Sequence, residues 1–442
     1  MERPLYNLLG ARTCLVLGAL VALAGPASAL QSPAERRALE DLLEDARKRR
    51  AEAVEAARTG ALTLLDRAVA ARAAGRSADA DLAELVALGS AGGLVLVELL
   101  DPPAGDERAA ARAQEAERAL AAGLSAPLVP RLLDLALRGQ PEGRTRALAL
   151  LGRAPDPVPV LEVVENAFER EAGAPRRAAL SSLVRLVSPK ADDALRTALR
   201  STDQPLTRAG LQELTAGRRL DMAPEVETLL VDAPRASRHW QQIADYFAAV
   251  PAAFLPKAQT LLVGLAENKH VDTGTGVELL ARVARFAVSP SKELLAQLAE
   301  IERNGHPELA EAASIAMARL GDRNARRALE KRYDEAVSRA KNEPGPLIAR
   351  GRLYLRLGDG NNAVRDLKRG LELADSQNSP MPRREVWIDL ARAYLIDDKF
   401  APAAAALERA PLTAVWRQRL SDDPDFANLL AHSRYGKVLR GE

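Results

Sequence analysis

Residues 344–370 read PGPLIARGRLYLRLGDGNNAVRDLKRG, and residues 384–410 read REVWIDLARAYLIDDKFAPAAAALERA. Laid over one another at an offset of 40 residues, Leu347 meets Trp387, Gly351 meets Ala391 and Tyr354 meets Tyr394. Further along, Ala363 meets Ala403, Leu367 meets Leu407 and Gly370 meets Ala410. The order in each copy is large, small, aromatic, turn, small, large, small, the pattern of two helices folded on each other. The small residues carry the packing argument: Gly351 and Ala391 let the second helix lie close, and Tyr354 and Tyr394 fill the space beside it. Trp387 and Tyr394 are therefore expected to be substantially buried, and the turn between copies is expected over Asp375–Pro382.

These two copies resemble the tetratricopeptide repeat, a helix-turn-helix unit of about 34 residues, and the second keeps its Trp-x-x-Leu-Ala-x-x-Tyr opening. The first departs from the template at Arg350, where a large apolar residue is usual, and neither copy has the closing proline. The resemblance implies an α-helical binding module in which the first helix of each unit lines the binding face. On that implication the candidate peptide-binding groove is Ile348, Arg352, Leu355, Glu385, Ile388, Arg392 and Leu395. Arg352 and Arg392 hold the same repeat position, and two guanidinium groups above an apolar strip suit an acidic or carboxylate-ended peptide. The carboxylate clamp of chaperone-binding relatives asks for Lys and Asn where this chain has Ile348 and Arg352, so that partner is not implied. The competing reading is that both arginines are ordinary solvated residues of an Arg-rich chain.

Upstream, helices recur between Asp106 and about Leu329. Leu148 with Leu151, Leu180 with Leu183, Leu211 with Leu214, and Ile243 with Tyr246 are pairs 31 or 32 residues apart. Pro141, Pro175 and Pro205 lead the first three helices, and a shorter helix follows each: Val160–Phe168, Ala191–Leu199 and Pro224–Leu230. The period loosens across Asn268–Gly276 and resumes as Gly276–Phe286, Ser291–Ile301 and Glu308–Leu320. This series is similar to the short type of HEAT repeat, with Glu311-Ala312-Ala313 through Leu320-Gly321-Asp322 the most typical copy; an irregular helical bundle is the alternative. A long helix, Arg323–Ala340, leads to a polar hinge at Lys341–Pro346. Beyond Ala410, Trp416–Leu420 and Asp423-Pro424-Asp425-Phe426 with Leu429 and Leu430 look like the closing helix that covers the apolar end of such a stack.

At the other end, Arg3 and Arg12 give a weakly basic start to an apolar run from Cys14 to Gly25, and Ala27-Ser28-Ala29 has the small-x-small form of a cleavage site. Residues 1–29 read as an export signal; the run has about twelve apolar residues, short of the roughly twenty that span a bilayer. The only cysteine, Cys14, leaves with the signal, so the mature chain has no disulfide and no thiolate ligand. Ser32-Pro33-Ala34-Glu35 is a capping box with Pro at the first helical position. It opens an amphipathic helix through Leu39, Leu42, Leu43, Ala46, Ala53, Val54 and Ala57, read as a cap folding back on the stack, with a coiled coil or a membrane-surface helix as alternatives. Gly75–Ser77 is a turn.

The expected organisation is a signal at 1–29, an N-terminal helical cap at 30–80, a HEAT-like solenoid at 81–340 and a tetratricopeptide region at 341–442, with repeats near 344–377 and 384–417. The fold class is all-α, an α-solenoid of helical hairpins. Aromatic residues make up 3% of the chain against 47% hydrophobic, which favours helices packed through Leu and Ala over sheets. Basic and acidic residues, 62 against 60, nearly cancel without single-sign blocks, so no nucleic-acid footprint is present. Only 10 of the 62 are Lys, an Arg and Ala bias that looks like a high-GC bacterial genome.

No catalytic pattern emerges. His239, His270, His306 and His432 are scattered and lack metal-ligand spacing, reading as surface or helix-end residues. No phosphate loop, dinucleotide fingerprint or Gly-x-Ser-x-Gly elbow is present. Asp192-Asp193 and Asp422-Asp423 fall at helix starts, where the dipole favours them. The sequence therefore predicts no enzyme, no cofactor, no metal, no nucleic-acid partner and no integral membrane segment after cleavage. It predicts an exported, periplasmic or secreted scaffold for a protein or peptide partner; the alternative is a permanent subunit of an envelope or secretion assembly.

Overall fold

The computed structural model describes residues 33–377 and 382–441. The export-signal reading, the capping serine at 32 and part of the loop after Asp375 lie outside the described residues. The described residues form 25 α-helices joined by short turns, with no strand, in which consecutive helices pack on one another. The all-α stack of helical hairpins is thus the observed fold. By contacts it forms two units, to Ala194 and from Leu195.

The first unit contains α1 (Pro33–Ala73), α2 (Asp79–Ala87), α3 (Gly89–Glu98), α4 (Glu107–Ala122), α5 (Val129–Arg138), α6 (Pro141–Leu151), α7 (Val158–Arg170) and α8 (Gly173–Arg185), and α9 (Ala191–Arg200) carries the boundary. Only the second half of α1 docks: Ala61, Leu64, Leu65, Ala68 and Ala71 are buried, and this half packs with α2, α3 and α4. Ion pairs fix it there, Asp66 taking Arg108 and Arg112 of α4 at 2.7 Å and Arg72 reaching the buried Glu115. In the first half of α1 the described side chains are exposed or half-buried, Leu42 at 60%. The α2–α3 pair is apolar but breaks by 114°, and no single described helix is long and apolar enough to cross a membrane.

The second unit contains α10 (Gln204–Ala216), α11 (Ala223–Val231), α12 (Ala233–Ala236), α13 (Trp240–Ala249), α14 (Pro256–Ala266), α15 (Thr273–Phe286), α16 (Lys292–Asn304) and α17 (Pro307–Arg319). It continues with α18 (Arg323–Arg339), α19 (Pro344–Leu357), α20 (Gly360–Ser376), α21 (Arg383–Ile396), α22 (Phe400–Arg409), α23 (Ala414–Ser421), α24 (Ala427–Ala431) and α25 (Lys437–Arg440). Alternate helices form rows: α10, α13, α15, α17, α19 and α21 pack each on the next, and α11, α14 and α16 form part of a second row. Every residue of the four spaced pairs, from Leu148 to Tyr246, is at most 1% exposed, so the period of about 31 marks the inward face of successive hairpins.

Turn chemistry sets where these helices stop. Gly321 and Gly358 have φ of 104° and 76°, the left-handed region that a side chain disfavours. Behind each, the N–H of Asp322 donates to the Met317 carbonyl and that of Asp359 to the Tyr354 carbonyl, closing the helix end. The same aspartates then cap the next helix, Asp322 accepting from Ala325 N and Asp359 from Asn362 N. The expected hinge at Lys341–Pro346 is shorter than its sequence suggests. Pro344 and Pro346 sit in the first turn of α19, where a missing N–H costs nothing, so the link is only 340–343. Likewise α20 runs on to Ser376, past the expected start of the loop at Asp375.

The close approach at Gly351 is as the repeat pattern requires: a Cβ there would lie 2.8 Å from Leu367 Cγ and 3.2 Å from its backbone N. Ala391 is fully buried. Trp387 and Tyr394, expected in the interior, are only half-buried. Their outer faces are covered by cations instead, Arg409 lying 5.2 Å from the Trp387 ring centre and Lys368 5.4 Å from that of Tyr394. The end of the stack closes over Leu420, Phe426, Leu429 and Leu439, all buried.

Candidate functional site

Four consecutive members of the first row, α15, α17, α19 and α21, line a trough of about 720 Å³ that is bounded at one side by Pro424 and Asp425. Its floor is small and apolar, with Ala281 and Ala284 from α15 and Ala312, Ile315 and Ala316 from α17. Leu355 from α19 and Leu395 and Ile396 from α21 add apolar surface. Above this floor stand five arginines: Arg285, Arg319, Arg352, Arg356 and Arg392.

Three of these occupy the last turn of their helices, Arg285 in α15, Arg319 in α17 and Arg356 in α19. Cations are favoured there because the helix dipole leaves partial negative charge on the terminal carbonyls. The tetrapeptide Arg-Leu-Gly-Asp is written at 319–322 and again at 356–359. In both copies the Arg faces the trough, the Gly turns the chain and the Asp caps the following helix. Arg319 joins the two copies, its Nη1 donating to the Arg356 carbonyl at 2.9 Å.

Most of the positive charge is answered from within. Asp389 lies between the two repeat arginines, 2.7 Å from Arg352 Nε and 3.4 Å from Arg392 Nη1. Arg392 also meets Asp423 at 2.7 Å and Asp425 at 3.6 Å, and Arg285 pairs with Asp425. Arg356 is 3.8 Å from Glu311, a carboxylate already engaged by Arg332 and by the Tyr333 hydroxyl. Five guanidinium groups therefore face Asp389 and Asp425 in the lining and Asp423 and Glu311 at its edge, and Arg319 is left over. No carboxylate among the described residues lies within ion-pair distance of it. Burial, followed by repulsion from Arg285, pulls its pKa below the ordinary arginine value, with Asp425 opposing from further away.

The seven residues singled out in the sequence divide three ways. Arg352, Leu355, Arg392 and Leu395 line the trough. Ile348 lines a neighbouring cavity of about 440 Å³, which it shares with Arg352, Arg356, Tyr333 and Val386. Glu385 and Ile388 line neither cavity. Ile348 and Ile388, equivalent by the 40-residue offset, are both buried in the packing of their own hairpins, and a Cβ on Gly370 would come within 2.6 Å of Ile348. Arg352 and Arg392 are not two free cations over an apolar strip, because Asp389 neutralises part of each. Asp389 precedes Arg392 by three residues, so helical spacing alone put both on one face. Arg319 was missed because it lies outside the two matched copies; the doubled Arg-Leu-Gly-Asp was the signal that could have found it.

Among the described residues no three His, Cys, Asp or Glu side chains converge to hold a metal ion. The arrangement defines a class: a helical repeat stack with an apolar, arginine-rimmed trough. Comparison of the chain with known family models and with curated proteins found no match.

Proposed function

We propose that the protein is an exported, non-catalytic scaffold whose trough holds a partner protein or peptide. The observation that carries this reading is the trough itself, built from four successive helices of one row rather than from one isolated cleft. Repeat stacks use such surfaces to take extended segments. The hairpins at 344–376 and 383–409 are read as tetratricopeptide-like, supported by the close packing at Gly351 and Ala391, and the earlier hairpins as HEAT-like, supported by their burial period. Export rests on the signal pattern at residues 1–29. A second reading, a permanent subunit of an envelope assembly, draws on the first half of α1, where Leu42 and Leu43 stand exposed.

Site-specific photo-crosslinking in the native host tests the scaffold. A photoreactive residue at Leu355 or Leu395 is expected to trap one protein species, and the same group at Arg303 on α16 is expected to trap none of it. Equal labelling from all three positions, or none from the trough, overturns the reading.

A further inference from the structure

Resting on the reading that this face takes a partner, we propose that the occupant is an acidic, extended polypeptide segment whose carboxylates are received by Arg319 and the guanidinium groups around it. The protein's own Asp423-Pro424-Asp425 turn occupies one side of the same site.

The argument begins with charge. Arg319 is half-buried, donates one hydrogen bond to a backbone carbonyl, and has no carboxylate partner among the described residues. A guanidinium has five N–H donors in a planar fork, so four of them have no protein acceptor among the described residues. A partly buried cation without a counter-charge is costly, and an incoming carboxylate relieves that cost through two parallel N–H···O bonds. Arg285 and Arg356 stand at the matching helix ends on either side, Arg285 paired with Asp425 and Arg356 3.8 Å from Glu311, so the unanswered charge sits at Arg319 between them.

The second observation is that the chain already places carboxylates here. Asp423 and Asp425 flank a proline and engage Arg392 and Arg285 from a segment that crosses from the end of the stack. This turn shows the geometry by which an Asp-bearing backbone sits on these arginines. The lining also decides between polyanions. It contains no aromatic side chain on which a base could stack, whereas its Ala, Ile and Leu floor suits aliphatic side chains alternating with acidic ones. A polypeptide is favoured over a nucleic acid.

The test is fluorescence anisotropy with the full chain lacking only the export signal. The probe is a labelled peptide of about twelve residues in which Asp and Glu alternate with Leu and Gly, compared with the same peptide carrying Asn and Gln. Wild type is expected to bind the acidic probe and not the amide one. Arg319→Met is expected to weaken binding ten-fold or more, Arg319→Lys to restore part of it because charge returns without the fork, and Arg138→Met, far along the chain on α5, to leave it unchanged. Asp423→Asn with Asp425→Asn, which unloads Arg392 and Arg285, is expected to strengthen binding. Should Arg319→Met fail to fold, as judged by its melting curve, the lysine variant and the double amide variant decide alone. Undiminished binding by a folded Arg319→Met, equal binding of the amide probe, equal binding of a polyphosphate of the same charge, or weakened binding by the double amide variant overturns the proposal. If Leu355 and Leu395 crosslink a partner while the acidic probe fails, the carboxylate chemistry falls and the scaffold reading stands. If the probe binds but nothing crosslinks, the reverse holds.

Discussion

Arg350 stands where the repeat template carries a large apolar side chain, and its neighbours explain how the chain tolerates it. Asp366 of α20, 2% exposed, takes Arg350 Nε at 2.6 Å and Nη2 at 3.0 Å, while Asp334 of α18 takes Nη1 at 2.7 Å. One bidentate pair replaces one apolar plug and ties three helices together. His239 is the opposite case, a buried polar residue poorly served. It is 3% exposed and its Nδ1 has no hydrogen-bond partner among the described residues. Burial, and then Arg208, Arg235 and Arg238, push its pKa below the ordinary 6.5. Because the unfolded chain binds this proton more readily, stability is fully present above about pH 6.5 and is lost as pH falls below it. The urea midpoint is therefore expected to be flat near pH 7 to 8 and to fall on acidification, with His239→Gln removing most of that slope; an unchanged slope in the variant would count against this source.

At the scale of elements, helix ends and helix crossings make separate predictions. Val187 follows α8 with φ of 53° and is 83% exposed, and Ser188 N donates to the Leu183 carbonyl behind it. This is the helix-stop geometry of Gly321 and Gly358 with a β-branched residue in the glycine position. Left-handed backbone costs an L-residue about 1–2 kcal/mol, and glycine returns part of this as chain entropy. Val187→Gly is expected to stabilise by about 1 kcal/mol, a rise of roughly 2–4 °C in Tm for a unit of this size. Crossings behave differently. Ala391 is fully buried at the position equivalent to Gly351, so Ala391→Leu must push α22 away from α21 or strain its own rotamer. The expected cost is about 1–3 kcal/mol, read from the urea midpoint, and an unchanged midpoint would remove the repeat equivalence.

Across the whole molecule, what was legible in the sequence was what repeats locally. The spaced Leu pairs, the small residues at Gly351 and Ala391, and the turns at Gly75 and Gly358 each act within one hairpin or between adjacent ones, so period and residue size were enough to place them. The trough was only partly legible. Arg352, Leu355, Arg392 and Leu395 followed from the match between copies, but Arg285 and Arg319 come from earlier hairpins, and Asp425 arrives from beyond the last one. Arg319 shares its tetrapeptide with Arg356, but Arg285 and Asp425 meet only through stacking and carry no shared spacing, and neither does the covering of Trp387 by Arg409.

The pairing of Arg285 with Asp425 spans 140 residues, whereas the hairpins around it pair with their immediate neighbours. Short-range contacts form at little loop-closure cost, so a stack of this kind begins to order as soon as two adjacent hairpins exist. The apolar floor at Ala281 to Ala316 precedes the Asp423–Asp425 turn by more than a hundred residues, so folding that proceeds from the N-terminal side forms the floor before the turn that bounds it. Until that turn docks, Arg285 lacks the carboxylate of Asp425 and Arg392 lacks that of Asp423, so the last contact made is the one that sets the charge of the trough.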